Sequence, residues 1–539
     1  MESCGYGCKR LLEMVEAKSA NARLLGNSAW NASAFILGVG LNLVILPFVL
    51  YRLGSAVFGV AGLVSACIAP ALAISNAISV STTRELASRL GPGERGEARR
   101  FFSTSLALAG LAGVLVALLL ALGGPPLAKQ MFKLTGTEAA ELSWAFVFGA
   151  GGWLFQCLSA TFLALFAARQ DYSRLALINI AVAATSTFSM LVLIPSWPYA
   201  STFLGCQALG FGAGVVIAIL FSLRAAPEAM APPIIHRGEL GEMMNVGVWQ
   251  FLAQTGGLIA VQADRYLLGA FLAPQFVGYY TVAQRLQEAM YIGILKVGEI
   301  LFPFFSSMRK ESSERVADLL FRSSWVLNVL AASALGGLIP VAPKLLLLWT
   351  GAEVAEQGQR VLVVLSVAGM MGCSANVFSF YLLAQGRSRS LAVISLLTAL
   401  ATLSASALVL PRLGWEAAGW SALAGMTVQI AITVTLLRKS FELPDLWARV
   451  GHFVLLPLAT GIAAALSLRY FLGGWLFDGP QRWWYLGISY LMTAAAILIV
   501  VVLVSRTGPY GAVCWRDMDS IARRFLPIRF VDVRNRRNR

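Results

Sequence analysis

The sequence is poor in charged and titratable residues. Only 13% of its 539 residues are Asp, Glu, Lys or Arg, whereas soluble globular domains carry about 25%. It has two histidines, His236 and His452, which lie far apart and give no reason to predict a shared metal or catalytic site. The composition therefore excludes an ordinary soluble domain and indicates an integral membrane protein.

Cysteines and enzymatic motifs are also scarce. The seven cysteines are scattered, and none falls in a connection predicted to lie outside the membrane, so we expect no disulfide framework. Cys4 and Cys8 have no second ligand pair, which argues against a zinc site. The chain contains no GxxxxGK(S/T) phosphate loop and no nucleophile elbow with catalytic partners. We therefore expect no enzymatic activity, no catalytic residue, no metal and no cofactor.

Apolar residues are abundant instead. They make up 58% of the chain, and the mean hydropathy is +0.72. Runs of about 20 apolar residues, each long enough to cross a bilayer, recur along the whole sequence. They predict an all-α membrane protein with about fourteen transmembrane helices. The predicted spans are 29–51, 56–80, 101–123, 142–166, 175–195, 200–222, 245–271, 279–306, 320–348, 361–384, 390–410, 415–437, 450–472 and 484–505.

The net charge of +15 is distributed as a topology signal. If the N-terminus is cytoplasmic, 31 of the 42 Lys and Arg residues fall on the cytoplasmic side, 8 fall outside and 3 lie deep within spans. This bias follows the positive-inside rule, so we expect both termini in the cytoplasm and no nucleic-acid partner. The basic tail 506–539 sets topology in this interpretation; the alternative is that it binds anionic lipid head groups.

An internal repeat relates the two halves of the chain. An offset of about 219 places Phe58-Gly59 on Val277-Gly278, and an offset near 215 places the connection 168–173 on 383–388. Spans 1–6 therefore correspond to spans 7–12, as parallel repeats forming two six-helix lobes. The predicted organisation is an N-terminal lobe 1–222, a cytoplasmic linker 223–244, a C-terminal lobe 245–437, appended spans 13 and 14 in 438–505, and the basic tail.

Span 8 carries an unusual set of charges. Arg285, Glu288, Lys296 and Glu299 project from one face of a helix, because 285 and 296, like 288 and 299, are three turns apart. Ionisable groups at membrane depth are costly, so by default they line a protein interior or a watery cavity. The alternative is that they form satisfied salt bridges that lock helices together.

Span 7 adds further polar groups at helical spacing. Gln250, Gln254 and Arg265 share one face, with Asp264 beside it. Together with Arg285 and Lys296 these residues predict a site with cations at two depths, which suits an anionic, phosphate-bearing substrate. The carboxylates Asp264, Glu288 and Glu299 are the candidates for ion coupling or for ion pairing with those cations.

The motif around the end of span 7 resembles that of a known family. Its residues are Asp264, Arg265, Gly269, Val277, Gly278, Tyr280, Ala283, Arg285 and Leu286, followed by Leu301-Phe302-Pro303. This pattern is similar to that of the polysaccharide and O-antigen flippases of the multidrug/oligosaccharidyl-lipid/polysaccharide (MOP) exporter superfamily. The resemblance covers the whole length, including the 6+6 repeat and the two extra helices.

The resemblance implies a transporter of cell-surface polysaccharide biosynthesis, such as O-antigen, lipopolysaccharide or exopolysaccharide, in a bacterial inner membrane. Such a protein moves a polyprenyl-pyrophosphate-linked oligosaccharide to the outer leaflet by alternating access, through a central cavity between two lobes. Lipid-linked oligosaccharide and membrane lipids would be its partners, with polysaccharide polymerase or glycosyltransferases as candidate protein partners. Unlike many family members, spans 1–6 lack central charges, so Asn76, Trp153, Gln156, Asn376 and Tyr381 are candidates to recognise neutral sugar.

Three alternatives stay open at this point. A lipid II flippase is similar in span number but has a more charged first lobe. A drug/cation antiporter of the same superfamily has twelve spans and generally needs a membrane carboxylate in the first lobe, which is missing here. A polysaccharide polymerase or glycosyltransferase would need a larger outside segment than these connections, each under about twenty residues, can provide.

Overall fold

Helices are the only regular structure in the part of the chain that this computed structural model describes, residues 3–89, 95–132, 136–225, 232–298, 305, 308 and 312–516 without 442. The predicted all-α class is confirmed for these residues. The helices are α1 (Ser3–Ile68), α2 (Leu72–Ser88), α3 (Arg95–Met131), α4 (Gly136–Ala168), α5 (Tyr172–Leu193), α6 (Ala200–Ala225), α7 (Arg237–Phe271), α8 (Pro274–Gly298), α9 (Ser313–Thr350), α10 (Ala352–Ala384), α11 (Ser388–Leu413), α12 (Trp420–Ser440), α13 (Leu446–Val450), α14 (Leu456–Asp478) and α15 (Trp483–Arg506).

Eleven segments of the described residues are long and apolar enough to cross a membrane, so this is a multi-pass membrane protein. The first segment, Ser33–Ser88, contains predicted spans 1 and 2 together. Helix α7 covers predicted span 7, and α8 covers predicted span 8 up to Gly298, beyond which 299–304 lie outside the described residues. Neither helix is among the eleven, since both carry clustered amides and charges. The predicted count of fourteen is therefore not confirmed.

Helix α1 is broken at Gly54, where φ is 77° and ψ is 164°. A positive φ is costly for residues that carry a Cβ atom and open to glycine. The break falls between the predicted ends of spans 1 and 2, at residues 51 and 56. The sequence-based boundary therefore coincides with a kink that divides α1 into two helical segments.

The chain divides into two compact units. The first comprises Met1–Arg285 and Ser388–Ser421, and the second comprises Leu286–Arg387 and Ala422–Arg539. The predicted division into six-helix lobes is not tested by this grouping and stays a prediction.

In the first unit, α1 and the start of α8 approach closely through two glycines. A Cβ atom on Gly59 would lie 1.9 Å from the carbonyl oxygen of Pro274, and one on Gly278 would lie 2.3 Å from that of Ser55. These glycines occupy equivalent positions of the predicted repeat. Small residues let helix backbones come this close in membranes, so the repeat places its two glycines in a shared helix contact.

The segment between α6 and α7 is fixed to α3 within the first unit. The backbone N–H of Ile234 donates to Ser103 Oγ at 2.9 Å, and that of His236 donates to Thr104 Oγ1 at 3.2 Å. Arg89, at the end of α2, forms an ion pair of 2.8 Å with Glu239 at the start of α7. The second half of the predicted linker is therefore anchored by side chains of its own unit.

The second unit is held by polar contacts among its buried helices. Trp325 Nε1 on α9 donates to Ser505 Oγ on α15 at 3.1 Å, and Asn328 Nδ2 donates to the carbonyl of Phe453 at 3.2 Å. Arg469 on α14 donates to Gln359 Oε1 on α10 at 3.1 Å. Interhelical hydrogen bonds of this kind stabilise membrane bundles by about 0.6–2 kcal/mol each.

Lys344, near the end of α9, is buried against the end of α14. Its Nζ donates to the carbonyl oxygens of Phe477, at 3.0 Å, and Gly479, and lies 5.1 Å from the centre of the Tyr485 ring. A cation at a helix C-terminus satisfies carbonyls that lack a partner within the helix. Lys344 therefore anchors the turn between α14 and α15, the appended pair of the sequence analysis.

Replacing Lys344 by methionine should destabilise the second unit by about 1–3 kcal/mol, because two part-buried hydrogen bonds are lost at about 0.5–1.5 kcal/mol each. Thermal unfolding in detergent, followed by size-exclusion chromatography, measures the change. Lys439→Met is the matched control, since Lys439 is exposed in the same unit. Equal melting temperatures for both variants and the wild type would show that Lys344 does not anchor the turn.

The predicted topology can be tested at two exposed positions, Ser196 between α5 and α6 and Glu97 in the first turn of α3. In a cysteine-free background, we expect Ser196→Cys to react with an impermeant thiol reagent in intact cells. Glu97→Cys should react only after permeabilisation, because the positive-inside rule places that end of α3 in the cytoplasm. The reverse labelling pattern would contradict the predicted orientation.

Candidate functional site

One face of α8 packs against α10 within the second unit. A Cβ atom on Gly369 would lie 2.4 Å from Gln287 Nε2, and one on Gly372 would lie 3.0 Å from the Tyr291 hydroxyl. Asn376 Nδ2 donates to that hydroxyl at 2.6 Å. At 100° per residue, positions 287 and 291 lie about 40° apart around the helix, so they belong to one packing face.

The predicted charged residues of α8 lie on the opposite face. With the same spacing of 100° per residue, the mean direction of positions 285, 288 and 296 is about 130° from the packing face. Arg285 and Lys296 are exposed, and Glu288 is half-buried. Ile292, between them on that face, is also exposed. The charges are thus presented away from the α10 contact. Glu299, the fourth member of the predicted set, lies outside the described residues.

The polar residues of α7 are placed differently. Arg265 is buried, and its Nη1 donates to Gln262 Oε1 at 3.0 Å. Gln254 is half-buried, while the side chain of Gln250 lies outside the described part of the chain. Arg265 is therefore engaged inside the first unit, whereas Arg285 and Lys296 are presented on an open face.

Asp264 is the centre of a buried hydrogen-bond network in the first unit. It is 2% exposed. Its Oδ2 accepts from the Tyr280 hydroxyl of α8 at 2.9 Å, and its Oδ1 accepts from Ser406 of α11 at 2.8 Å and from Ser421 of α12. The backbone N–H of Gly419 is a fourth donor.

A carboxylate has about four acceptor positions, so these four donors account for the capacity of Asp264. The network joins α7, α8, α11 and the segment that leads into α12. Such an arrangement favours the structural alternative for Asp264, in which it positions helices. The ion-coupling role of Asp264 was not tested and stays a prediction.

The other motif residues also serve packing in the first unit. A Cβ atom on Gly269 would lie 2.3 Å from Leu63 Cδ2, and Gly278 lies against Ser55. Tyr279, next to the motif tyrosine, packs with Phe276 and Trp415, with ring centroids 6.0 Å apart in both pairs. The motif therefore builds a close-packed junction, and among its described residues Arg285 has an exposed side chain.

The candidates for neutral sugar recognition are mostly engaged in packing. Trp153 is fully buried in α4, and Tyr381 stacks on Phe378 with ring centroids 5.9 Å apart. Asn376 binds Tyr291, while Asn76 and Gln156 are half-buried. Tyr291 was not predicted as a site residue. Its only sequence signal is its position between Glu288 and Lys296 on the charged helix.

Comparison with known proteins decides the family. Residues 52–356, more than half of the chain, match the family model described as "Polysaccharide biosynthesis protein". The chain belongs to this family. The matched region includes the α7–α8 motif and the charged face of α8, and the predicted resemblance is thereby confirmed.

Relatives and solved structures agree with this membership. The chain is 26% identical over 447 residues to a Haloferax volcanii protein named "Probable flippase AglR", covering 80% of this chain and 87% of that protein. The solved structure of the lipid II flippase MurJ, in an inward closed conformation, superposes with a TM-score of 0.69 at 11% identity, over 92% of this chain and 100% of MurJ.

A multidrug resistance MATE transporter of the MOP superfamily shares the fold as well. Its inward-facing structure gives a TM-score of 0.66 at 14% identity, over 76% of this chain and 95% of that chain. At these identities the two structural likenesses show the fold alone. This family member therefore has the transporter fold that MurJ and the MATE protein share.

Proposed function

We propose that this protein is a flippase that moves a polyprenyl-pyrophosphate-linked oligosaccharide from the cytoplasmic to the outer leaflet by alternating access. The product would feed cell-surface polysaccharide biosynthesis. Membership of the polysaccharide biosynthesis family and the likeness to a protein named as a flippase support the proposal. The observation that carries it is the exposed pair of cations, Arg285 and Lys296, on the face of α8 opposite to its packing face.

The chemistry of that face suits a pyrophosphate head group. Arg285 can donate two parallel hydrogen bonds to phosphate oxygens, and Lys296 offers a point charge about 16 Å further along the helix. Passing the anion from one cation to the other would keep each complex weak, as transport requires. Gln254 and Gln250 are proposed to add neutral hydrogen bonds, and Arg265 to contribute positive potential from its buried position.

The carboxylates on this face are proposed to help release the substrate. Glu288 is half-buried and follows Arg285 by nearly one helical turn. A carboxylate at this position competes with phosphate for the Arg285 guanidinium. Glu299 stands in the same relation to Lys296, and we propose it as the group linked to a coupling ion. The alternative for both is a permanent ion pair along the helix, worth about 0.2–0.5 kcal/mol.

Lipid II is the second candidate substrate. The MurJ comparison covers 92% of this chain, against 76% for the MATE transporter, so the MurJ fold accounts for more of the sequence. The family description and the relative named as a flippase favour a lipid-linked substrate over the cations or drugs of an antiporter. The fold does not choose between lipid II and another lipid-linked oligosaccharide. We propose the latter from the family description. The bacterial inner membrane and the polymerase and glycosyltransferase partners remain part of the same proposal.

Reconstitution separates these candidates. Purified protein in liposomes is given a fluorescent lipid-linked oligosaccharide, fluorescent lipid II or a cationic dye, and transfer is read by quenching from one side. We expect transfer of the lipid-linked oligosaccharide to exceed that of lipid II, and no transport of the dye. Faster transfer of lipid II would support the second candidate, and transport of the dye alone would contradict a flippase.

A further inference from the structure

An apolar groove runs between α2, α3 and α7 in the first unit. It encloses about 260 Å³ and is lined by Ile74, Ala77, Ile78, Ser81, Leu108, Ala112, Met243, Val248 and Phe251. Ligand pockets usually occupy about 300–1,000 Å³. The volume of the groove therefore suits a segment of a hydrocarbon chain better than a sugar head group.

The walls of the groove offer a ligand no unsatisfied polar group among these described side chains. The hydroxyl of Ser81 donates to the carbonyl of Ala77 at 2.9 Å. Met243 Sδ, the one other heteroatom, accepts from Ser105 Oγ at 3.7 Å. Burying a polar head group here would leave its hydrogen bonds unmade, at a cost of about 1–3 kcal/mol for each group. A hydrocarbon chain meets no such cost.

The groove is continuous with the lipid-facing side of α3. Among the eleven candidate spans, α3 is the least buried in its most apolar window. Leu111, next to the groove residue Ala112, and Leu115, one turn further along α3, are about 60% exposed. Val248 on α7 is also exposed at the groove's other wall. A chain dissolved in the bilayer could therefore enter sideways.

Beyond the groove, the ends of α2, α3 and α7 meet through Arg89, and each of these ends carries exposed arginines. They are Arg84 on α2, which lies 3.8 Å from Glu85, Arg99 and Arg100 at the start of α3, and Arg237 at the start of α7. The guanidinium of Arg89 is committed to Glu85 and Glu239 and stacks on Phe101. The predicted topology places these helix ends at the cytoplasmic leaflet, where a lipid phosphate would meet the exposed arginines.

We propose that this groove binds a segment of the isoprenoid chain of the lipid-linked substrate, with its phosphate held by the exposed arginines beyond the groove. The inference rests on the proposed function and adds a docking site for the carrier lipid, separate from the charged face of α8. The apolar walls select a hydrocarbon chain, and the arginines select an anionic lipid over a neutral one. Substrate would thus be captured from the leaflet before its head group is moved.

Photolabelling tests the site. The full-length protein in phosphatidylcholine vesicles is irradiated with a trace of isoprenoid phosphate that carries a diazirine on its chain, and labelled residues are mapped by mass spectrometry. We expect label on Met243 and Phe251, competed by unlabelled isoprenoid phosphate and not by added phosphatidylglycerol. Equal competition by phosphatidylglycerol, or label spread evenly over Leu111 and Leu115, would show bulk lipid in the groove and overturn the proposal.

Two variants fill the groove and one matched change does not. Ala112→Phe should lower labelling at least about tenfold, and Leu111→Phe, its lipid-facing neighbour, should leave it unchanged. If Ala112→Phe lowers the melting temperature, Val248→Trp, at an exposed position, takes its place. Arg99→Gln combined with Arg100→Gln should lower labelling by the phosphate probe several-fold and leave labelling by the corresponding isoprenoid alcohol unchanged. Undiminished labelling in all these variants would contradict the site.

The outcome is separable from that of the proposed function. Leaflet transfer of a lipid-linked oligosaccharide by a protein that takes no specific label in the groove overturns this inference and leaves the flippase proposal standing. Specific labelling by a protein that moves no lipid-linked oligosaccharide supports the groove as a lipid site and overturns the flippase proposal.

Discussion

Replacing Lys296 by alanine is expected to lower the rate of head-group translocation about 10–100-fold without lowering the amount of folded protein. A hydrogen bond to a charged group is worth about 1.5–3 kcal/mol, and about 1.4 kcal/mol corresponds to tenfold in rate. The protein should keep its melting temperature, because Lys296 is exposed on the α8 face opposite to α10. Arg285→Ala should have an effect of similar size.

Lys129→Ala on α3 is the control for a change of net charge, since Lys129 is exposed on a different helix. Ile292→Ala tests the same face of α8 without changing charge. Transfer is measured as protection of a fluorescent lipid-linked oligosaccharide from a quencher. If Lys296→Ala and Arg285→Ala both fail to accumulate, and Arg285→Glu combined with Glu288→Arg accumulates and transfers like the wild type, the charges serve as ion pairs and the substrate-binding role is wrong.

The second large effect is expected at Asp264. Asp264→Ala should destabilise the first unit by about 3–5 kcal/mol, because the donors of Tyr280, Ser406 and Ser421 lose a buried acceptor and unsatisfied groups cost about 1–3 kcal/mol each. Asp264→Asn keeps one acceptor oxygen and should lie between alanine and the wild type. Fluorescence-detected size exclusion after heating measures the loss.

Asp318→Ala is the matched control. Asp318 is 45% exposed and pairs with Arg322 at 3.3 Å and with Arg449 at 3.7 Å. Exposed ion pairs contribute about 0–1 kcal/mol each. The structural interpretation would be overturned if Asp264→Ala melts and accumulates like the wild type while its transfer no longer depends on an ion gradient. In that case Asp264 is an ion-coupling residue, as the sequence alone also suggested.

The sequence was sufficient for features that follow from local periodicity. Hydropathy predicted the all-α membrane class, and helical spacing placed Arg285, Glu288 and Lys296 on one face of a continuous helix. The same spacing could not show whether that face of α8 points toward a neighbouring helix or away from it. The contacts of Gln287 and Tyr291 with α10 supply that information, because they depend on residues about 80 positions away in the chain.

Long-range partners account for the rest. The sequence placed Asp264 beside a polar face, but its acceptor positions are used by Ser406 and Ser421, which lie more than 140 residues further on. Arg265 illustrates the same limit, since helical periodicity could not distinguish an arginine that lines a cavity from one buried against Gln262. Serines among apolar residues carry little sequence signal, so a network of this kind becomes visible only when the helices are assembled.

Leaflet transfer in sealed liposomes, under an imposed membrane potential and without ATP, tests the proposed flippase activity directly. Outward movement of an anion from a negative interior is favoured by about 2.3 kcal/mol per charge per 100 mV. A fluorescent polyprenyl-pyrophosphate oligosaccharide should therefore reach the outer leaflet faster when the interior is negative, or when an ion gradient of the coupling type is applied. Lys296→Ala should slow this transfer about 10–100-fold. Transfer that depends on neither the potential nor an ion gradient, yet requires added ATP, would contradict the proposed mechanism.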